Sequence, residues 1–185
     1  MDDTEITAAA IAAQAGDREA AERFIRATQV QLQRLLGYLV SPPHAEDLAQ
    51  ETYLRAFAAL PHYAQRAPAR MWLLAIARRV AADHLRLRAR RPAQSGSEDW
   101  ITLAEAHGAV TPDHQPTVIL RRLILALDDQ RREAFVLTQV LGLSYAEAAA
   151  VCDCALGTIR SRVFRARADL VAAYRGDQGQ QFGSG

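Results

Sequence analysis

The sequence predicts an all-α chain of two small helical domains, a helical bundle and a helix-turn-helix unit, joined by a flexible linker. Three observations carry this. Apolar residues recur at helical spacing along most of the chain, and no segment alternates like a strand for long. Residues 91–115, RPAQSGSEDWITLAEAHGAVTPDHQ, are rich in small, polar and turn residues and break that pattern. The run from Leu143 to Asp169 reads as two short helices about a tight turn, the second of them basic. The divisions expected are an N-terminal extension (1–14), a bundle (15–91), a linker (92–115), the helix-turn-helix domain (116–174) and a disordered tail (175–185).

Taken in order, Asp17 is placed to cap a helix running to about Val40, with Phe24, Ile25, Val30, Leu32, Leu35, Leu36 and Leu39 as its apolar faces. Ser41-Pro42-Pro43 breaks it. A second helix spans about His44 to Leu60 and closes at Pro61. The loop His62 to Ala67 leads into a long helix from about Pro68 to Arg90, with proline near the first turn where its missing N–H costs nothing. Trp72, Leu73, Ile76, Val80 and Leu87 mark its buried side; for Trp72 a core role outweighs a base-stacking one. The linker holds at most a short helical turn around Trp100 to Ala106. Helical pattern returns at Pro116 to Leu127 and at Asp129 to Leu141. The tail from Gly176, GDQGQQFGSG, reads as disordered.

In the helix-turn-helix, Ser144 and Glu147 form an S-x-x-E capping box that starts the first helix. Cys152-Asp153-Cys154 falls at the turn, where Asp tolerates the required backbone better than most non-glycine residues. Thr158 is read as the N-cap of the second helix. Ile159, Val163, Ala166 and Leu170 then face inward, which leaves Arg160, Ser161, Phe164 and Arg165 facing out. A compact pair of helices with a basic outer face is suited to the DNA major groove.

Charge is segregated rather than abundant. Net charge over the 185 residues is only +1. Residues 1–52 carry nine acids and four arginines, whereas residues 66–91 carry eight arginines and one acid, Asp83. This fits an acidic or mixed protein-binding surface beside a basic nucleic-acid surface. All 22 basic residues are arginine, whose fork can grip phosphates and guanine edges with two hydrogen bonds. No signal peptide or membrane span is visible, so a cytoplasmic location is expected. The two cysteines sit too close for an easy bridge and read as small turn-packing residues. No G-x-x-x-x-G-K, H-E-x-x-H or G-x-S-x-G motif occurs, and adjacent Asp83 and His84 point about 100° apart on a helix. An enzyme, a cofactor and a metal site are therefore not expected.

Two further stretches accompany the helix-turn-helix: AEDLAQETYLRAF at Ala45 to Phe57 and WLLAIARRVAADHLR at Trp72 to Arg86. In this order the three resemble bacterial RNA polymerase sigma factors of the extracytoplasmic-function group. The run LTQVLGLSYAEAAAVCDCALGTIRSR looks like the actinobacterial SigC-type subgroup. The resemblance spans about residues 15–174 and implies sigma region 2 over 15–91 and region 4 over 116–174. It implies a promoter-specificity subunit without catalysis of its own, whose partners are core RNA polymerase, through its β′ clamp helices and β flap, and promoter DNA. It also allows for an anti-sigma factor.

Carried over residue by residue, the resemblance places the polymerase contact on Asp47, Leu48, Gln50, Glu51, Leu54 and Arg55. Asp47, Gln50, Glu51 and Leu54 share one helical side by their spacing, charge around an apolar anchor. It implies that the −10 element meets Gln65, Arg66, Arg78, Arg79 and Arg86, the loop Ala64 to Pro68 taking a base flipped from the strand. Arg79 stands where many family members have Asn. The −35 element meets Arg160, Ser161, Phe164 and Arg165 through the groove, with Arg162 and Arg167 as phosphate or structural partners. Asp153 occupies a turn position often held by Gly. The rival reading is a stand-alone helix-turn-helix regulator, which would leave the AEDLAQETYLRAF helix and the basic region idle.

Overall fold

The computed structural model describes residues 1–40, 42–90 and 115–181, with side chains described except for residues 42, 115–118 and 176–181. The described residues form eight α-helices and no strand. The proposed linker apart from Gln115, its Trp100 to Ala106 turn, Ser41, Arg91, His107 and His114 lie outside them. The four N-terminal helices make one compact unit, and the helices from Gln115 onward build the body of a second. Among the described residues no helix is long and apolar enough to cross a membrane.

The first unit begins with a helix that periodicity had not revealed, α1 (Asp3–Gln14). Its start is a reciprocal capping box: Glu5 N–H donates to Asp2 Oδ1 at 2.8 Å, and Asp2 N–H to Glu5 Oε2 at 2.9 Å. Ile6, Ala9 and Ala10 are buried, and α1 packs on α2 (Arg18–Leu39) and α4 (Ala69–Arg90). The turn between α1 and α2 passes through Gly16 at φ +97°, which a residue with a Cβ enters only under strain. Asp17 then caps α2 as the sequence indicates, its carboxylate accepting from Ala20 N–H at 3.0 Å.

On α2, Phe24, Leu32, Leu35 and Leu36 are fully buried. Val30 departs from expectation and is 70% exposed. It lies two residues from both Thr28 and Leu32, about 200° round the helix from the buried stripe. Antiparallel α3 (Pro42–Ala59) sets Ala45, Leu48, Ala49, Thr52 and Ala56 against the core at helical spacing. Tyr53 ties α3 to α2: its hydroxyl donates to Ile25 O at 3.2 Å and pairs with Thr28 Oγ1 at 2.8 Å. A short 3₁₀ turn (Leu60–His62) follows, and then α4, whose Leu73, Leu74, Ala77 and Val80 complete the core. Leu87 does not join them. It keeps the phase of Val80, but residues 86–90 are all exposed, beyond the reach of packing neighbours.

In the second unit α5 (Gln115–Leu125) is followed by α6 (Asp129–Phe135), capped by the Asp128 carboxylate. The helix widens into a π turn over Val136–Val140, with Leu141 N–H bonded to Val136 O at 2.9 Å. Gly142, at φ +73°, ends it. Next come α7 (Tyr145–Cys152) and α8 (Leu156–Gln181). The capping box forms as predicted, Ser144 N–H donating to Glu147 Oε2 at 2.7 Å and Glu147 N–H to Ser144 Oγ at 3.2 Å. Thr158 is not an N-cap. Its N–H already donates to Ala155 O at 2.9 Å inside the first turn of α8, so the helix starts three residues earlier, at Leu156. The helix also runs to Gln181, through residues the sequence assigns to a disordered tail.

Candidate polymerase- and promoter-binding surfaces

The three residue sets named from the sequence fall on three different surfaces. On α3, Asp47, Gln50 and Leu54 are exposed and Glu51 is half-buried, so the side their spacing defines does face outward. Leu54, 68% exposed, is the apolar centre of that side. Leu48 does not lie on that side: it is buried and seats the helix on the core. Arg55 belongs to a charge relay. It donates to Glu51 Oε1 at 2.7 Å and to Asp83 Oδ2 at 2.9 Å, while Arg86 donates to Asp83 Oδ1 at 3.1 Å. The bonds to Asp83 and then Glu51 raise the Arg55 pKa above the ordinary arginine value. Each exposed pair adds little stability, about 0–1 kcal/mol. The relay joins a residue of the acidic side of α3 to a residue of the basic end of α4.

The second surface is the loop between the 3₁₀ turn and α4, with the arginines that follow. Gln65 and Arg66 are exposed. Gln65 holds φ +54°, a left-handed conformation that costs a residue with a side chain free energy and persists only where neighbours enforce it. The Tyr63 hydroxyl spans the loop, donating to Ala67 O at 2.6 Å. Trp72 is half-buried, its ring 4.9 Å from that of Tyr63, so it supports the loop as well as the apolar stripe. Of the arginines, Arg79 is exposed and Arg78 half-buried. Arg70 is held by Asp3 of α1, its Nη2 donating to Oδ2 at 2.9 Å.

The third surface is the outer side of α8. Ile159, Val163 and Ala166 are buried and Leu170 nearly so, while Arg160, Ser161, Phe164 and Arg165 are exposed, Phe164 by 75%. The four arginines then divide. Arg162 donates to Gln130 Oε1 at 2.8 Å and Arg167 to Gln139 Oε1 at 2.7 Å, the first on α6 and the second on the π turn that extends it. Arg160 and Arg165 have no hydrogen-bond or ion-pair partner among the described residues. The pairing of Arg131 with Asp169 at 2.6 Å further locks α8 to α6. Between α7 and α8, Asp153 takes the turn at φ +52°, the conformation glycine usually supplies. Neither Cys152 nor Cys154 is in a disulfide.

Sequence reasoning missed Gln14, Thr7 and Asp3 of α1, and the glutamines Gln130 and Gln139 that hold the α8 arginines. Only the Asp2–Glu5 box gave a local signal for α1.

Comparison with known proteins agrees with this geometry. The Sigma-70 region 2 family matches residues 24–91, and the Sigma-70, region 4 family matches residues 117–170. The chain is 47% identical over 173 residues to the ECF RNA polymerase sigma factor SigC of Mycobacterium tuberculosis, covering 92% of each. Among solved structures, CnrH in complex with the cytosolic domain of CnrY superposes with a TM-score of 0.72 at 26% identity, over 94% of this chain and 99% of that one. The sigma factor RpoE in complex with the anti-sigma factor NepR from Bartonella quintana gives 0.67 at 27% identity, over 83% of this chain and 96% of that one. A region 2 match beside region 4 removes the stand-alone regulator from consideration. The chain therefore belongs to the extracytoplasmic-function RNA polymerase sigma factors, and within them to the SigC type.

Proposed function

We propose that the three surfaces divide the work of promoter recognition. Sigma factors of this family are initiation factors without catalysis of their own, and the chain directs promoter recognition and transcription initiation by core RNA polymerase. In this reading Asp47, Gln50, Glu51 and Leu54 dock on the β′ clamp helices, with Arg55 at the edge and Leu48 supporting from beneath. Gln65 and Arg66 meet an unpaired base of the −10 element, and Arg78, Arg79 and Arg86 hold phosphates along the strand. Arg160 and Arg165, with Ser161 and Phe164, read the −35 element, while Arg162 and Arg167 anchor the helix and approach the backbone. Region 2 covers about residues 15–91 and region 4 about 116–174, with the β flap as the polymerase contact of region 4. The setting is the cytoplasm. An anti-sigma factor is a further partner, supported by the similar sigma factor RpoE solved with the anti-sigma factor NepR.

The observation that carries this reading is the division among the α8 arginines. Two are bound to glutamines of their own domain, and two present free forks on the outer side of a helix-turn-helix. The test is run-off transcription with core polymerase on genomic fragments. Transcripts should start at discrete sites only when the chain is added. Equal start-site usage with and without it overturns the reading.

A further inference from the structure

We infer that α1 positions the −10 reading loop, with Gln14 and Thr7 holding its two stems so that Ala64, Gln65 and Arg66 are presented to DNA. This rests on the reading of that loop given above and adds residues of a helix outside the matched region 2 segment, which begins at residue 24.

The contacts are specific. At the C-terminal end of α1 the two N–H groups of the Gln14 side-chain amide are shared among three carbonyls, Leu60 O at 2.9 Å, Pro61 O at 3.1 Å and Tyr63 O at 3.3 Å. These carbonyls belong to the chain entering the loop. Near the other end of α1, Thr7 Oγ1 accepts the N–H of Ala69 at 3.1 Å, where the chain leaves the loop and α4 begins. The hydroxyl proton of Thr7 is directed to Asp3 O at 2.7 Å, so its oxygen is left to accept. Asp3 then binds Arg70 next to that N–H. Within the loop the Tyr63 hydroxyl closes the neck onto Ala67 O.

One helix therefore grips both stems of a loop that contains a left-handed glutamine. Such a conformation survives only when its surroundings over-determine it. Ala64, Gln65 and Arg66 themselves are exposed, and among the described residues neither the Gln65 nor the Arg66 side chain has a hydrogen-bond partner. The conformation is imposed from the stems while the tip is left open for a ligand. A base pocket needs this, since a loosely held pocket loses the discrimination its contacts could give.

The test uses the full chain assembled with core polymerase, on promoters carrying every base at each −10 position and a matching −35 panel. Gln14→Ala should lower the ratio between best and worst −10 variants by about tenfold, with −35 ratios and core affinity unchanged. Gln14→Lys, which keeps donors for the carbonyls, should restore most of the ratio. Gln14→Glu, nearly the same shape but unable to donate, should not. Thr7→Val should act like Gln14→Ala from the other stem. If Gln65→Ala and Arg66→Ala change the −10 ratios while Gln14→Ala leaves them intact, or lowers every promoter equally, α1 only supports the fold and the inference fails while the loop reading stands. If the loop variants also leave the ratios unchanged, the loop reading fails and takes the inference with it. Failure of both Gln14→Ala and Thr7→Val to fold would likewise overturn it.

Discussion

The Arg167 guanidinium donates to Gln139 Oε1 at 2.7 Å, which fixes one edge of its fork to its own domain and leaves the other for a phosphate. Arg160, in the first turns of α8, has no such tie. Recognition helices contact base edges with their N-terminal residues. Arg160→Ala should therefore cost roughly 1–3 kcal/mol of discrimination at one or two −35 positions. Arg167→Ala should weaken all sequences about equally and flatten the salt dependence. A panel of single-base promoter changes at two salt concentrations separates them. A uniform loss with Arg160→Ala would make it a phosphate clamp.

Charge reversal on α3 tests the polymerase contact. Asp47 is exposed and no intramolecular ion pair of the described residues uses it, so Asp47→Lys changes the docking side alone. Glu51→Lys also breaks the bond to Arg55 and disturbs the relay to Asp83. The single Asp47 variant should weaken core binding on the order of tenfold, the double variant more, with the far-ultraviolet circular dichroism unchanged. Unaltered affinity in a titration of core polymerase would exclude this helix as the dock.

Tyr53 links stability to alkaline pH. Burial raises its pKa above the ordinary 10.0, opposed by the hydrogen bond with Thr28. The folded state holds the phenol neutral more firmly than the unfolded chain does. The resulting stabilisation is complete below pH 10 and is lost as pH rises through the folded-state pKa. Tyr53→Phe removes both bonds to α2 and should cost about 1 kcal/mol at neutral pH. It should also flatten the loss of stability above pH 10, since Tyr53 no longer titrates. Urea midpoints at pH 7, 10 and 11 show whether the two effects go together.

The helix-turn-helix offers a pair of changes with opposite signs. Ser144→Ala removes the acceptor at the start of α7 and should destabilise the second unit by about 1 kcal/mol. Asp153→Gly relieves the left-handed strain at φ +52° and should stabilise it by roughly 0.5–1 kcal/mol. Calorimetry of the two variants should show shifts in opposite directions.

What the sequence made legible was written in short-range grammar. The Ser144–Glu147 box, the Asp17 cap and the inward stripe of Ile159, Val163, Ala166 and Leu170 each sit within a few turns of helix. Local signals do not say which apolar residue will find a neighbour: periodicity buries Val30 and Leu87, and the structure leaves both exposed. Threonine suits an N-cap and also tolerates the first turn, and only the backbone decides which place Thr158 takes. Alanine-rich α1 has too few large apolar residues to announce a face. Its bonds from Gln14 cross 46 residues or more, beyond any periodicity.

The left-handed backbone at Gln65 also limits how the chain could be retuned. Glycine, asparagine and aspartate are the residues that accept φ +54° most readily, whereas valine, isoleucine and threonine would meet their own backbone there. The alphabet open at that position is short. A change of base preference through the loop is therefore better sought at Ala64 and Arg66, whose side chains are exposed and whose backbones lie outside the left-handed region.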